Sequence, residues 1–101
     1  DFSFIAEEHL SQIFALLAKY KIKISLMQNS AISLALCLED KYKSIDDLNK
    51  ELQPIFDTEM VKNVSLFTVR NANLEDINKF YENKNILLEQ ISKKTIQVVT
   101  N

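Results

Sequence analysis

The sequence predicts an α+β fold in which strands and helices follow the order β-α-β-β-α-β and then β-α-β-β. Three observations carry this reading. Between Lys21 and Asp40, Ile22, Ile24 and Leu26 alternate with Lys21, Lys23 and Ser25, and Ile32, Leu34, Leu36 and Leu38 alternate with Ser33, Ala35 and Cys37. That is the period of half-buried strands. Other stretches place apolar residues at helical spacing, and the chain closes on two β-rich runs separated by Ser92-Lys93-Lys94, the pattern of a hairpin.

The elements follow in order. Residues 1–5 read as a strand. A helix over 6–20 is indicated by Glu7 and Glu8, where a helix start favours negative charge, and by Leu10, Ile13, Phe14 and Leu17 along one face. The two alternating strands come next, joined by a polar island, Gln28-Asn29-Ser30, with neither glycine nor proline to make an ordinary tight turn. Ser44 has the character of an N-cap with Asp47 three residues on, Ile45, Leu48 and Leu52 mark the apolar face of a second helix, and Pro54 stops it near Gln53. A short strand over 55–61 and a stronger one over 64–70 precede a third helix. That helix has Asn73 as N-cap, Asp76 at the third position, and Ile77, Phe80 and Tyr81 on its apolar face. Strands over 86–91 and 95–99 complete the chain.

The first six elements make a complete ferredoxin-like pattern. The remainder begins the same pattern and stops before its second helix and last strand. Two domains are therefore expected, 1–62 and 63–101, with no glycine-, serine- or proline-rich linker between them. The second needs a strand from upstream or from a partner chain. The start at Asp1, without an initiator methionine and already strand-like, marks the segment as a piece of a longer protein.

Composition narrows the function classes. A chain of 101 residues, 47% hydrophobic, suits one compact domain or two very small repeats sharing a sheet. The net charge of -2 gives no electrostatic footprint for nucleic acid, and no lysine-rich amphipathic face suggests a membrane surface. No apolar run approaches the ~20 residues that span a bilayer, and no signal peptide is visible. The lone Cys37 cannot form an internal disulfide and reads as a small buried apolar residue, so a cytoplasmic origin fits best. Glycine is absent altogether. Loops that cradle phosphate rely on glycine to bring backbone N–H groups close to the ligand, which argues against nucleotide chemistry within these residues.

The residues around the island carry a resemblance. His9-Leu10-Ser11-Gln12-Ile13-Phe14, then Ile24-Ser25-Leu26-Met27-Gln28-Asn29-Ser30-Ala31-Ile32-Ser33, resemble the helix and strand-turn motifs of the regulatory ACT domains at the C-terminus of aspartate kinases. The Met-Gln-Asn-Ser-Ala-Ile-Ser form is similar to that of Bacteroidetes-type enzymes. The closing run from Ile86 to Ile91 and on through Thr95 to Val99 is similar to the C-terminal end of the family. The resemblance implies an ACT domain followed by a partial second one, itself non-catalytic. It also implies a separate N-terminal kinase domain that phosphorylates aspartate with MgATP at the head of lysine, threonine and methionine biosynthesis. No cofactor or metal is implied for this segment. It implies a homodimer through ACT domains and an amino-acid effector, lysine or threonine. The effector would be held by Glu8, His9 and Leu10 at the helix start and by Ser25, Met27, Gln28, Asn29 and Ser30 at the end of the strand.

Two positions depart from the family. Ser25 stands where many lysine-sensing members have an acidic residue, and Glu8 stands where many have glycine. Each site residue also has a plainer role available. His9 reads equally as a surface helix residue. Gln28, Asn29 and Ser30 read as groups satisfying backbone in a bulged connection, and Ser25 and Met27 as solvent-facing positions. Glu39, Asp40, Asp46 and Asp47 have spacing that suits helix capping and solvation better than metal binding. The second function reading is a structural ACT dimerisation module with no effector. A catalytic ferredoxin-like enzyme such as an acyl phosphatase has no matching phosphate loop or Arg/Asn pairing at a strand-to-helix junction.

Overall fold

The computed structural model describes residues 7–30, 32–73, 75, 78 and 81–101. It divides into two compact units, Asp1–Glu59 and Met60–Asn101, both α+β and each built on a small antiparallel sheet. The strand expected over 1–5 lies outside the described residues.

In the first unit, α1 spans Glu7–Lys19, with Glu7 and Glu8 in its first turn and Lys19 in its last, each complementing the helix dipole. Ile13 and Leu17 are buried, with Leu16 and Tyr20 packed beside them. Phe14, expected on the core face, is instead 38% exposed. The helix buries the stripe 13-16-17-20, and Phe14 is rotated off it. The helix ends in a Schellman motif: the Ile22 N–H donates to the Leu17 carbonyl at 2.9 Å and the Lys21 N–H to that of Ala18 at 3.2 Å. Lys21 takes the left-handed position, φ 55°, that glycine would usually fill. Leu17 and Ile22, the two residues this motif brings together, both lie in the core.

Strands β1 (Lys23–Asn29) and β2 (Leu34–Glu39) form an antiparallel hairpin. Its register runs Ile24 opposite Leu38 and then Leu26 opposite Cys37, so Ser25 is an extra residue, a β-bulge. This corrects the simple alternation read from the sequence. Residues opposite each other in a ladder share a face, so Leu36 and Leu38 take the face of Ile24. Leu26, beyond the bulge, joins Cys37 on the other face. Leu26 and Cys37 are buried, at 4% and 7% exposure. Met27 and Asn29, opposite Leu36 and Leu34, come onto the face of Ile24.

Helix α2 spans Ile45–Leu52, and its Leu48 is 2% exposed. Ser44 occupies the N-cap position without a side-chain cap bond. The cap is Asp40, whose Oδ1 accepts the Ser44 N–H and whose Oδ2 accepts the Ile45 N–H, both at 2.9 Å. The Ser44 hydroxyl turns back to donate to the Tyr20 carbonyl at 3.0 Å. Pro54 lacks the N–H that would continue the helix. The chain makes one more turn, the Ile55 and Phe56 N–H groups both donating to Leu52, and lays Phe56 against the core. The strand expected over 55–61 does not form: the segment is a turn followed by non-repetitive chain. Turn bonds to the end of α2 and the packing of Phe56 hold its first residues, so its apolar content serves the helix layer instead of a sheet. Ile13, Leu17, Ile22 and Leu48 centre the core, covered by Ile24, Leu34, Leu36 and Leu38 from the hairpin.

The second unit contains β3 (Ser65–Val69), β4 (Ile86–Ser92) and β5 (Thr95–Thr100), in the sheet order β3-β5-β4 with both pairings antiparallel. Glu75, Asn78 and Tyr81 are helical; Asp76, Ile77 and Phe80 of the expected helix lie outside the described residues. The central strand is buried on both faces, with Ile96, Val98 and Thr100 on one and Val99 on the other. A two-residue turn joins β4 to β5, and Lys93 takes φ 55° within it. With no glycine in the chain, the left-handed positions fall to Lys21, Lys43 and Lys93 and to Asn63, Asn71 and Asn83.

Candidate functional site

The hairpin tip is organised by Ser30. Its hydroxyl accepts the Ser33 N–H at 3.1 Å and the Ile32 N–H at 3.4 Å and lies 2.9 Å from the Ser33 hydroxyl, while its own N–H donates to the Ser33 carbonyl at 2.9 Å. A serine side chain thus supplies the turn chemistry that glycine or proline would otherwise supply. Gln28 and Asn29, expected in the connection, are instead the last two residues of β1, opposite Ala35 and Leu34. Adjacent residues of a strand project to opposite faces. Asn29 shares the face of Met27, Leu34 and Leu36, and Gln28 shares that of Leu26 and Cys37. The polar island is therefore split between two faces of the hairpin.

Of the other candidates, Glu8 is exposed at the first turn of α1, with His9 and Leu10 half-buried behind it. The His9 ring meets Phe56 edge to face, centroids 5.7 Å apart at 83°. Ser25 is half-buried at the bulge, while Met27 remains 40% exposed. Alternation alone would make Ser25 an outward position of a regular strand; the bulge removes it from the ladder.

A hollow of about 290 Å³ opens between α1 and α2, lined by Gln12, Ala15, Leu16, Glu51 and Ile55. None of the eight candidates lines it. At its rim the Glu51 carboxylate accepts hydrogen bonds from the Tyr20 hydroxyl and from Lys19 Nζ, the latter at 2.9 Å. The Tyr20 bond, then that of Lys19, holds the Glu51 carboxyl below its usual range. The same Glu51 bond raises the Tyr20 hydroxyl, with desolvation adding to it, and Glu51 raises Lys19 as well. Sequence reasoning missed this cluster because Lys19 and Tyr20 close one helix and Glu51 closes another. Only the packing of α1 on α2 joins them.

Burial raises the Cys37 thiol, consistent with a small buried side chain. Among the described residues no group of three His, Cys, Asp or Glu side chains could hold a metal ion, and no helix is long and apolar enough to cross a membrane. The chain is thus an α+β protein of two small units, each with an antiparallel sheet. No family model, curated protein or solved structure matches it.

Proposed function

We propose that this chain is the regulatory segment of an aspartate kinase, an ACT-type ferredoxin-like arrangement that binds an end-product amino acid and mediates dimerisation in the cytoplasm. The observation that carries the reading is the Met27-Gln28-Asn29-Ser30 run, which ends β1 and leads into the serine-organised turn. Polar groups concentrate there at the end of a strand, the position from which the resembling family contacts its effectors. The helix-hairpin-helix order of the first unit and the strand-helix-hairpin order of the second are compatible with an ACT pair. Asn29 and Met27 are the stronger ligand candidates, because they share one face; Gln28 lies on the other.

The mechanism is a population shift. An effector bridging two ACT units stabilises one dimer arrangement, and an attached kinase domain of the proposed kind reads that arrangement as inactive. The serine at position 25 supplies no charge for an effector ammonium group, which favours the second reading, a structural dimerisation module without an effector. Titration calorimetry with lysine, threonine and methionine separates the two. Heat of binding with one of them, abolished by Asn29→Ala, supports the sensor. Absence of heat with all three at millimolar concentration, with the dimer intact, leaves the structural module. A Lys-Phe-Gly-Gly start several hundred residues upstream would test the kinase assignment directly.

A further inference from the structure

The two edges of the sheet in the second unit differ. Among the described residues β5 is flanked on both sides, which leaves β3 and β4 at the edges. An edge strand invites pairing with another chain, and proteins blunt it with a bulge, a proline or a charged side chain. β4 carries such devices: its register slips between Ile86 and Leu88, and Glu89 lies within it. β3 carries none. Its register against β5 runs without a shift from Ser65 to Val69, and residues 64–69 include no charge and no proline. Four successive residues, Ser65 to Thr68, are exposed, Leu66 at 36% and Phe67 at 40%. Successive residues of a strand point to opposite faces, so β3 shows an apolar side chain on each face. Asn63 (φ 58°) and Asn71 (φ 54°) turn the chain at its two ends.

We infer that β3 is a dimerisation edge: it pairs antiparallel with β3 of a second copy of this chain and joins the two three-stranded sheets into one continuous sheet. A two-fold axis sets the same strand edge against itself, and the register centred on Phe67 suits this sequence. Phe67 of one copy then stands opposite Phe67 of the other on one face. On the other face Leu66 stands opposite Thr68, and the two Leu66 side chains are diagonal neighbours. Ser65 meets Val69 and Asn63 meets Asn71, so the ends of the two strands coincide. The flanking cations do not meet head-on, because Arg70 falls opposite Val64 and Lys62 opposite Ala72. A register centred on Leu66 would set Arg70 against Lys62, a repulsive pair. The inference gives the proposed dimerisation a surface and rests on that part of the reading; no residue of the proposed effector site takes part.

The test is sedimentation velocity of the intact chain over a concentration series. A dimer should form as concentration rises. Phe67→Lys, which sets two ammonium groups opposite each other at the axis, should weaken it by about 10-fold or more. Circular dichroism checks that the variant folds. Phe67→Cys reads the register without adding charge: residues opposite each other in an antiparallel pair have Cα atoms about 4.5–5.5 Å apart, a spacing that a disulfide spans. Diamide should cross-link Phe67→Cys into a covalent dimer and leave the wild type, whose Cys37 is buried, uncross-linked. Ser65→Cys, opposite Val69, should cross-link far less. A dimer that survives Phe67→Lys at full strength, or equal cross-linking of the two cysteine variants, would overturn the β3 pairing and leave dimerisation standing. A wild type that stays monomeric to millimolar concentration would overturn both.

Discussion

Asp40 accepts the Ile45 N–H at 2.9 Å, so helix α2 is capped by a side chain five positions before its first residue. The same carboxylate accepts the Ser44 N–H, and Ser44 is thereby freed to bond the end of α1. The cap and the α1–α2 connection are one structure.

Asp40→Ala should therefore cost more than Ser44→Ala. The first leaves two helix-terminal donors without their carboxylate, about 1–2 kcal/mol; the second removes one hydroxyl bond, about 1 kcal/mol. Urea unfolding of both variants checks the order. Equal losses, or a larger loss for Ser44→Ala, would contradict the capping assignment.

At the hairpin tip, Ser30→Ala should lower stability by about 1 kcal/mol even with no ligand present, because the Ser33 N–H loses its acceptor. A ligand-only role predicts no change in the melt. Comparing stability with and without added amino acid separates the turn function of this hydroxyl from any binding function.

Core truncations should distinguish the observed helix face from the one read in the sequence. Leu48→Ala is expected to cost about 2–5 kcal/mol and Leu26→Ala, on the other face of the hairpin, a comparable amount. Phe14→Ala should cost about 1 kcal/mol or less, since its ring lies outside the core cluster. A Phe14→Ala loss as large as that of Leu48→Ala would restore the original face.

Lys93 sits at φ 55° in the β4–β5 turn, where a β-carbon is unfavourable. Lys93→Gly should stabilise by about 0.5 kcal/mol, relief of strain being partly offset by the freer unfolded chain. Lys93→Val should destabilise. Thermal melts that rank valine above glycine would exclude this backbone argument.

Tyr81 is pushed up to about 12, first by desolvation of its hydroxyl and then by the negative charge of the Glu89 carboxylate. Its folded pKa exceeds that of an unfolded tyrosine, so the protonated hydroxyl stabilises the fold. That contribution is complete below about pH 10 and is lost as pH rises toward 12. In a Tyr20→Phe, Tyr42→Phe background, which leaves Tyr81 as the single tyrosine, ultraviolet titration should show a phenolate midpoint near 12. A midpoint near 10 would contradict the effect.

By itself the sequence determined the α+β class, the placement of α1 and α2, the two hairpins and the apolar face of α2. These rest on local rules: the period of apolar residues, charge at helix ends, and the missing N–H of Pro54. The tertiary structure decided the rest. A single bulge at Ser25 moved Leu26 to the opposite face, because one extra residue inverts every later side chain in a strand. Asp40 replaced Ser44 as the cap, and the 55–61 run went to the helix layer, because long-range packing outweighs the small energies of local propensity. The polar island was legible as a special place, but its division between two faces was not. Neither was the meeting of Lys19 and Tyr20 with Glu51, since alternation and spacing describe neighbours along the chain and only packing brings distant segments together.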